Sequence, residues 1–274
     1  MVTYSLVKTA ADEPGDRQLA REALWLRELA QVRELEGQVP RLLDEGMTEH
    51  GRRYLVMAVS QGTGETRAFT PGHERFLASL GKARFRSADF EVSGCCEQLH
   101  GSLRRLEGQV PPRTLATLEA AYRDCESALL YWTGPYVLSQ GDFAPWNIRT
   151  LGSQLFVYDW GNARSEASPL DDVLHYVMIQ RALHGRAVTP GFLQSAMKRA
   201  RDFALLAYPE WTWRPRVIGA LTLVYLLGAL LHQALASGPR LDRGDPRGDL
   251  RRDPMVRCYY NLIQKRSAWM PGND

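Results

Sequence analysis

Between Ser139 and Gly161 the chain reads SQGDFAPWNIRTLGSQLFVYDWG, and three side chains in it carry oxygen at a telling spacing: Asp142, Asn147 and Asp159. Asn147 follows Asp142 by five residues, and Asp159 comes twelve residues later. A carboxylate facing a hydroxyl can accept or steer its proton. An Asp and an Asn amide oxygen are hard ligands, suited to Mg²⁺, an ion that usually keeps some of its waters. The apolar segments YVLS (Tyr136–Ser139) and QLFVY (Gln154–Tyr158) read as two short strands around this polar stretch. A hairpin return would bring all three residues to one end of the two strands. Asp and Asn are also ordinary turn residues. That explains one of them alone better than it explains three at this spacing between apolar strands.

GDFAPWN resembles the HGDxxxxN motif of the aminoglycoside phosphotransferase and choline kinase superfamily, VYDWG its metal motif, and PLDDVLHY (Pro169–Tyr176) the segment that follows. The resemblance implies a protein-kinase-like α+β fold, with a truncated, small, β-containing N-lobe over residues 1–62 and a large, mainly helical C-lobe over 63–274. It implies an ATP- and Mg²⁺-dependent phosphotransferase acting on a hydroxyl of a small molecule: an amino sugar, a sugar, choline or similar. Asp142 would be the catalytic base or substrate-orienting residue, with Asn147 and Asp159 as metal ligands. Lys8, in SLVKT, resembles the strand lysine that pairs with the α/β-phosphates. Glu22, fourteen residues on, resembles the glutamate that holds it, with Glu28 as the competing partner. RYLVMAV (Arg53–Val59) would be the hinge strand, its backbone from Met57 to Val59 contacting adenine.

The sequence departs from that pattern in two places. Only seven residues precede Lys8, where the family has two strands and a glycine-containing phosphate loop; Gln61–Glu65 (QGTGE) is a turn and cannot replace them. Weak ATP binding, or none, is expected from this, as is an exposed strand edge that invites a second copy to pair. Gln140 stands where the family usually has His, and it can likewise both donate and accept. Two rival readings follow: a catalytically impaired kinase-fold remnant serving as a binding module, and, ranked low for want of an A-P-E segment after Asp159, a protein kinase.

The elements that must position these residues are a strand over Thr3–Thr9, a turn or loop at Asp12–Asp16 (DEPGD), and a helix over Leu19–Leu35. The pattern is then mostly helical from Pro71, with helices at Cys95–Leu106 and Thr114–Trp132, the latter ended by Gly134-Pro135. Helices with loops fill Pro169–Trp269. Leu241–Pro254, with its two RGD triplets, reads as an exposed loop.

Hydrophobic residues make up 45% of the chain and charged residues 24%, enough to build a globular core. A net charge of +3 is too small to argue for nucleic acid. Four cysteines without CxxC spacing suit a reducing, cytoplasmic setting. Val217–Leu231 falls short of the roughly 20 residues of a membrane span and reads as a core helix. His100 and His175 read as structural, and no histidine spacing suggests zinc. The aromatic run Tyr208–Trp213 (YPEWTW) reads first as packing between helices and second as a face for a sugar or quaternary ammonium.

Overall fold

The computed structural model describes residues 3–60, 68–236 and 253–271. The QGTGE turn and most of the Leu241–Pro254 loop lie outside these residues. The chain divides into two compact units, one of residues 1–85 and 137–165, the other of 86–136 and 166–274.

The first unit opens with β1 (Thr3–Thr9), α1 (Glu13–Leu29), β2 (Arg41–Met47) and β3 (Arg53–Ser60). The strands form an antiparallel sheet in the order β1-β3-β2. Ala10, Leu19, Ala23 and Leu55 form a core between sheet and helix, with Leu42 packed against it. The Asp12–Asp16 segment is the start of α1 rather than a loop. Asp12 caps the helix by accepting a 2.8 Å bond from the Gly15 N–H, and Pro14 sits in the first turn, where its missing N–H costs nothing. The helix also stops six residues earlier than expected: Val32 is extended, and only a 3₁₀ turn, Arg33–Leu35, follows. Along the buried face of α1 run Leu19, Ala23 and Leu26, and among them sits Glu22. A carboxylate at a core position calls for a partner.

The unit is completed by α2 (Pro71–Ala83) and by the antiparallel hairpin of β6 (Ile148–Leu151) and β7 (Gln154–Val157). The expected return from Tyr136–Ser139 to Gln154–Tyr158 is therefore corrected: a further strand intervenes, and it is the one that pairs with β7. The chain passes between the units within β4 (Phe85–Asp89), β5 (Thr133–Ser139) and β8 (Arg164–Ala167).

His73 closes the start of α2. Its Nδ1 accepts from the Thr70 N–H at 3.0 Å, and its ring stacks on Phe69 and meets Phe143 edge-on at 5.9 Å. Phe143 in turn stacks on Phe76, which lies 6.5 Å from Trp160. One aromatic cluster thus ties α2 to the residues following Asp142 and Asp159. Burial lowers the His73 pKa from 6.5 to about 4. The unfolded chain then takes up the proton first, so this contribution to stability is full above pH 6.5 and is lost as pH falls toward 4. The expected loss is about 3 kcal/mol over that window. Urea unfolding between pH 7.5 and 4 should show it, and His73→Gln, which keeps an acceptor but does not titrate, should flatten the profile.

The second unit holds α3 (Gly94–Leu106), α4 (Pro112–Leu129), α5 (Asp171–Leu183), α6 (Pro190–Ala207), α7 (Pro215–Ala236) and α8 (Pro254–Gln264). The α7 helix is long and apolar enough to cross a membrane, but 78% of its most apolar stretch is buried, and it packs against α3, α4, α5, α6 and α8. Tyr208 and Trp213 of the aromatic run are buried, with Trp132 beside Trp213 at 5.8 Å, which is packing and not an open face. His100 stacks on Tyr122, and the ring of His175 meets Tyr225 edge-on.

Candidate functional site

All seven residues singled out from the sequence lie in the first unit. Lys8 leaves β1 opposite Leu55, and its Nζ donates at 2.8 Å to both oxygens of Glu22 and at 3.1 Å to Asp159 Oδ1. Glu22 is 1% exposed, and its Oε1 also accepts from the Trp160 N–H at 3.3 Å. Glu28 takes no part; it pairs with Arg84 at 2.8 Å on the surface. Burial pulls the Lys8 pKa down, but the two carboxylates more than offset it, so it is raised overall and the ammonium stays charged. Burial pushes Glu22 up, and Lys8 offsets only part of that.

Asn147 Nδ2 donates to Asp142 twice, at 2.9 Å to Oδ2 and 2.9 Å to the backbone carbonyl. The amide is thereby oriented by its nitrogen, which leaves its oxygen for another partner. Asn147 C=O accepts from the Tyr158 N–H at 2.8 Å, which fixes the residue before Asp159 to the Asp142–Asn147 loop. Two carboxylates and an amide oxygen are a donor set that fits a hard divalent cation.

The backbone around these residues is under steric constraint. Asp159 has φ 58° and ψ 69°, the one positive-φ residue other than glycine among the described residues. That left-handed conformation costs a non-glycine residue about 1–2 kcal/mol, so the surroundings must impose it. Gly141 has φ 83°, and a Cβ there would lie 2.1 Å from the Asn162 carbonyl oxygen, so only glycine allows the approach.

Met57 and Val59, expected at a hinge, differ in setting. Met57 has strand partners on both sides, Leu6 and Leu42, whereas among the described residues Val59 is paired with Tyr4 alone, because the β2 register ends opposite Ala58. Gln140, expected to donate and accept where the family usually has His, does both: its amide nitrogen donates to the Tyr158 and Asp159 carbonyls at 2.9 and 2.6 Å, and its amide oxygen accepts from the Asp142 N–H at 2.9 Å.

No family model matches the sequence, and no curated protein matches it. Solved structures do match. A thermostable mutant of aminoglycoside phosphotransferase APH(4)-Ia, in ternary complex with AMP-PNP and hygromycin B, superposes with a TM-score of 0.61 at 16% identity, covering 96% of this chain and 87% of that one. A choline/ethanolamine kinase family protein from Mesorhizobium loti gives 0.57 at 17%, covering 95% and 87%. The GDP complex of wild-type aminoglycoside 2'-phosphotransferase-IIIa gives 0.54 at 14%, covering 96% and 86%. At these identities the likeness is one of fold. The chain therefore shares the architecture of these structures, a kinase-like α+β fold.

Proposed function

We propose that the chain transfers a phosphoryl group from Mg-ATP to a hydroxyl of a small molecule, in the class of an amino sugar, a sugar or choline. The observation that carries this is the meeting of Lys8 with Glu22 and, 151 residues along the chain, Asp159. A lysine held by a buried carboxylate next to a second, 37% exposed carboxylate can counter phosphate charge close to a cation site. Asp142 accepts or steers the hydroxyl proton. Asn147 and Asp159 would hold Mg²⁺, which when bound supplies charge neutralisation and alignment to the phosphates. Lys8 binds the α/β-phosphates. The strand end at Val59, open on its β2 side, suits an adenine edge better than Met57 does. The nucleotide complexes among the structural matches, and the hygromycin B in one of them, support the same reading.

The proposal carries three subsidiary parts. The lobe boundary falls near residue 62. The setting is cytoplasmic, in keeping with free cysteines at 95, 96, 125 and 258. Self-association runs through the outer edge of β1, where Val7 is 59% exposed.

The test is thermal unfolding with and without Mg-ATP, followed by a screen for phosphorylated product across hydroxyl-bearing compounds that include hygromycin B and choline. Saturation at a hundred times Kd should add about 2.7 kcal/mol of stability. A protein that neither shifts with Mg-ATP nor yields a phosphorylated product would be a binding module on a kinase-like fold instead.

A further inference from the structure

A groove of about 340 Å³ opens in the second unit, between α3 and α4. That lies within the range of about 300–1,000 Å³ that holds small molecules. None of the residues assigned to phosphoryl transfer belongs to this unit. Side chains three and four apart on neighbouring helices are ordinarily apolar and interlock. Here His100, Arg104 and Glu107 take those positions on one wall, and Glu119, Arg123 and Glu126 on the other.

A third helix holds the walls in place. Both α3 and α4 pack on α7, with Leu99 beside Gly228 and the Cys125 thiol donating to the Ala220 carbonyl at 3.8 Å. The groove is therefore a fixed space, not a gap that two free helices could close. An aromatic surface lines it as well: the Tyr122 hydroxyl is hydrogen-bonded to Cys96 Sγ at 3.1 Å, and His100 stacks on the Tyr122 ring.

The charges in the groove stay apart. Glu119 and Arg123 are four residues apart on α4, in the order that favours an ion pair. Elsewhere the chain closes pairs at this spacing: Arg17 on Glu13, and Lys198 on Asp202 at 2.7 Å, the latter in the less favourable order. Among the described residues, however, Glu119 and Arg123 form no ion pair or side-chain hydrogen bond, and neither do Arg104 and Glu107. Glu119 is half-buried, so its carboxylate has lost water without gaining a cation. A purely anionic ligand would meet the carboxylates, and a purely cationic one the guanidinium groups. A molecule bearing one charge of each sign satisfies both.

We propose that this groove binds a zwitterionic amino compound, an α-amino acid or dipeptide, with its ammonium on Glu119 and its carboxylate on Arg123. An apolar or aromatic side chain of the ligand lies against the Tyr122 ring. The inference does not depend on the phosphotransfer reading.

The experiment is titration calorimetry on the full chain without nucleotide, with L-phenylalanine, L-tryptophan, L-leucine and their glycyl dipeptides as probes. At least one should bind with a Kd of about 1 mM or tighter. The N-acetyl and C-terminal amide forms of that probe should each bind at least about tenfold more weakly, because each lacks one of the two charges. Glu119→Gln and Arg123→Gln should weaken the free probe to a similar extent, and selectively. Glu119→Gln should no longer distinguish the N-acetyl form from the free one, and Arg123→Gln should no longer distinguish the amide. A merely structural role would not produce that pattern. Neither side chain holds another described residue in place, so the urea midpoint of both variants should stay at the wild-type value. Binding of none of the probes, equal binding of blocked and free forms, or unchanged affinity in both variants would each overturn the proposal.

Discussion

Replacing Asp142 by Ala should lower phosphoryl transfer about 10²- to 10⁴-fold, the usual range for losing a positioned acid–base group, while leaving the protein folded. The fold should survive because Asn147 keeps its second bond, to the Asp142 backbone carbonyl, and because Gln140 still accepts from the same residue's N–H. Asp142→Asn should behave alike, since it keeps the shape and removes the proton acceptor. The measurement is product formation with Mg-ATP and whichever hydroxyl compound the screen identifies, alongside the unfolding midpoint. More than a tenth of wild-type turnover in both variants would remove Asp142 from the reaction.

The second large effect concerns stability. Lys8→Met leaves the Glu22 carboxylate buried without its cation, and removing one member of a buried ion pair costs about 3 kcal/mol or more. Lys8→Met/Glu22→Leu should regain most of that loss, because an apolar pair can fill the space that a charged pair occupied. It should still fail to bind Mg-ATP. Urea unfolding of these two variants, Glu22→Leu and wild type measures the coupling, and a Lys8→Met protein as stable as wild type would show that Glu22 does not depend on Lys8. The sign with pH follows from the raised lysine: the folded form holds its proton more tightly than the unfolded chain does. The stabilisation is therefore intact below the ordinary value of 10.5 and disappears as pH rises through the folded pKa.

What could be read from the sequence depended on how local each signal was. Asp142, Asn147 and Asp159 fall within eighteen residues, and short strands on either side make their convergence readable. The pairing of Lys8 with Glu22 came from the family resemblance, with Glu28 as the competing partner, because strand and helix patterns alone do not say which glutamate faces the lysine. The β2 strand was not readable. RLLDEGM has two acids and a glycine, no regular alternation of burial, and a register shift between Leu42 and Asp44. Its outer position in the sheet explains how so polar a segment can be a strand. The N-terminus of α1 was obscured for a related reason: Pro and Gly mark loops in general, but Pro is at home in a first helical turn. The buried setting of His73 depends on contacts between segments tens of residues apart, which no local pattern encodes.

The α7 helix touches five other helices of its unit, so it serves as a common post rather than as one member of a ring. Detaching any neighbour would wet part of the most apolar surface in the unit. The helical unit should consequently come apart as one cooperative block, with no partly melted state in which a single helix has peeled away. A polar substitution at Leu223 or Leu227, both wholly enclosed, would then be felt by the entire unit at once.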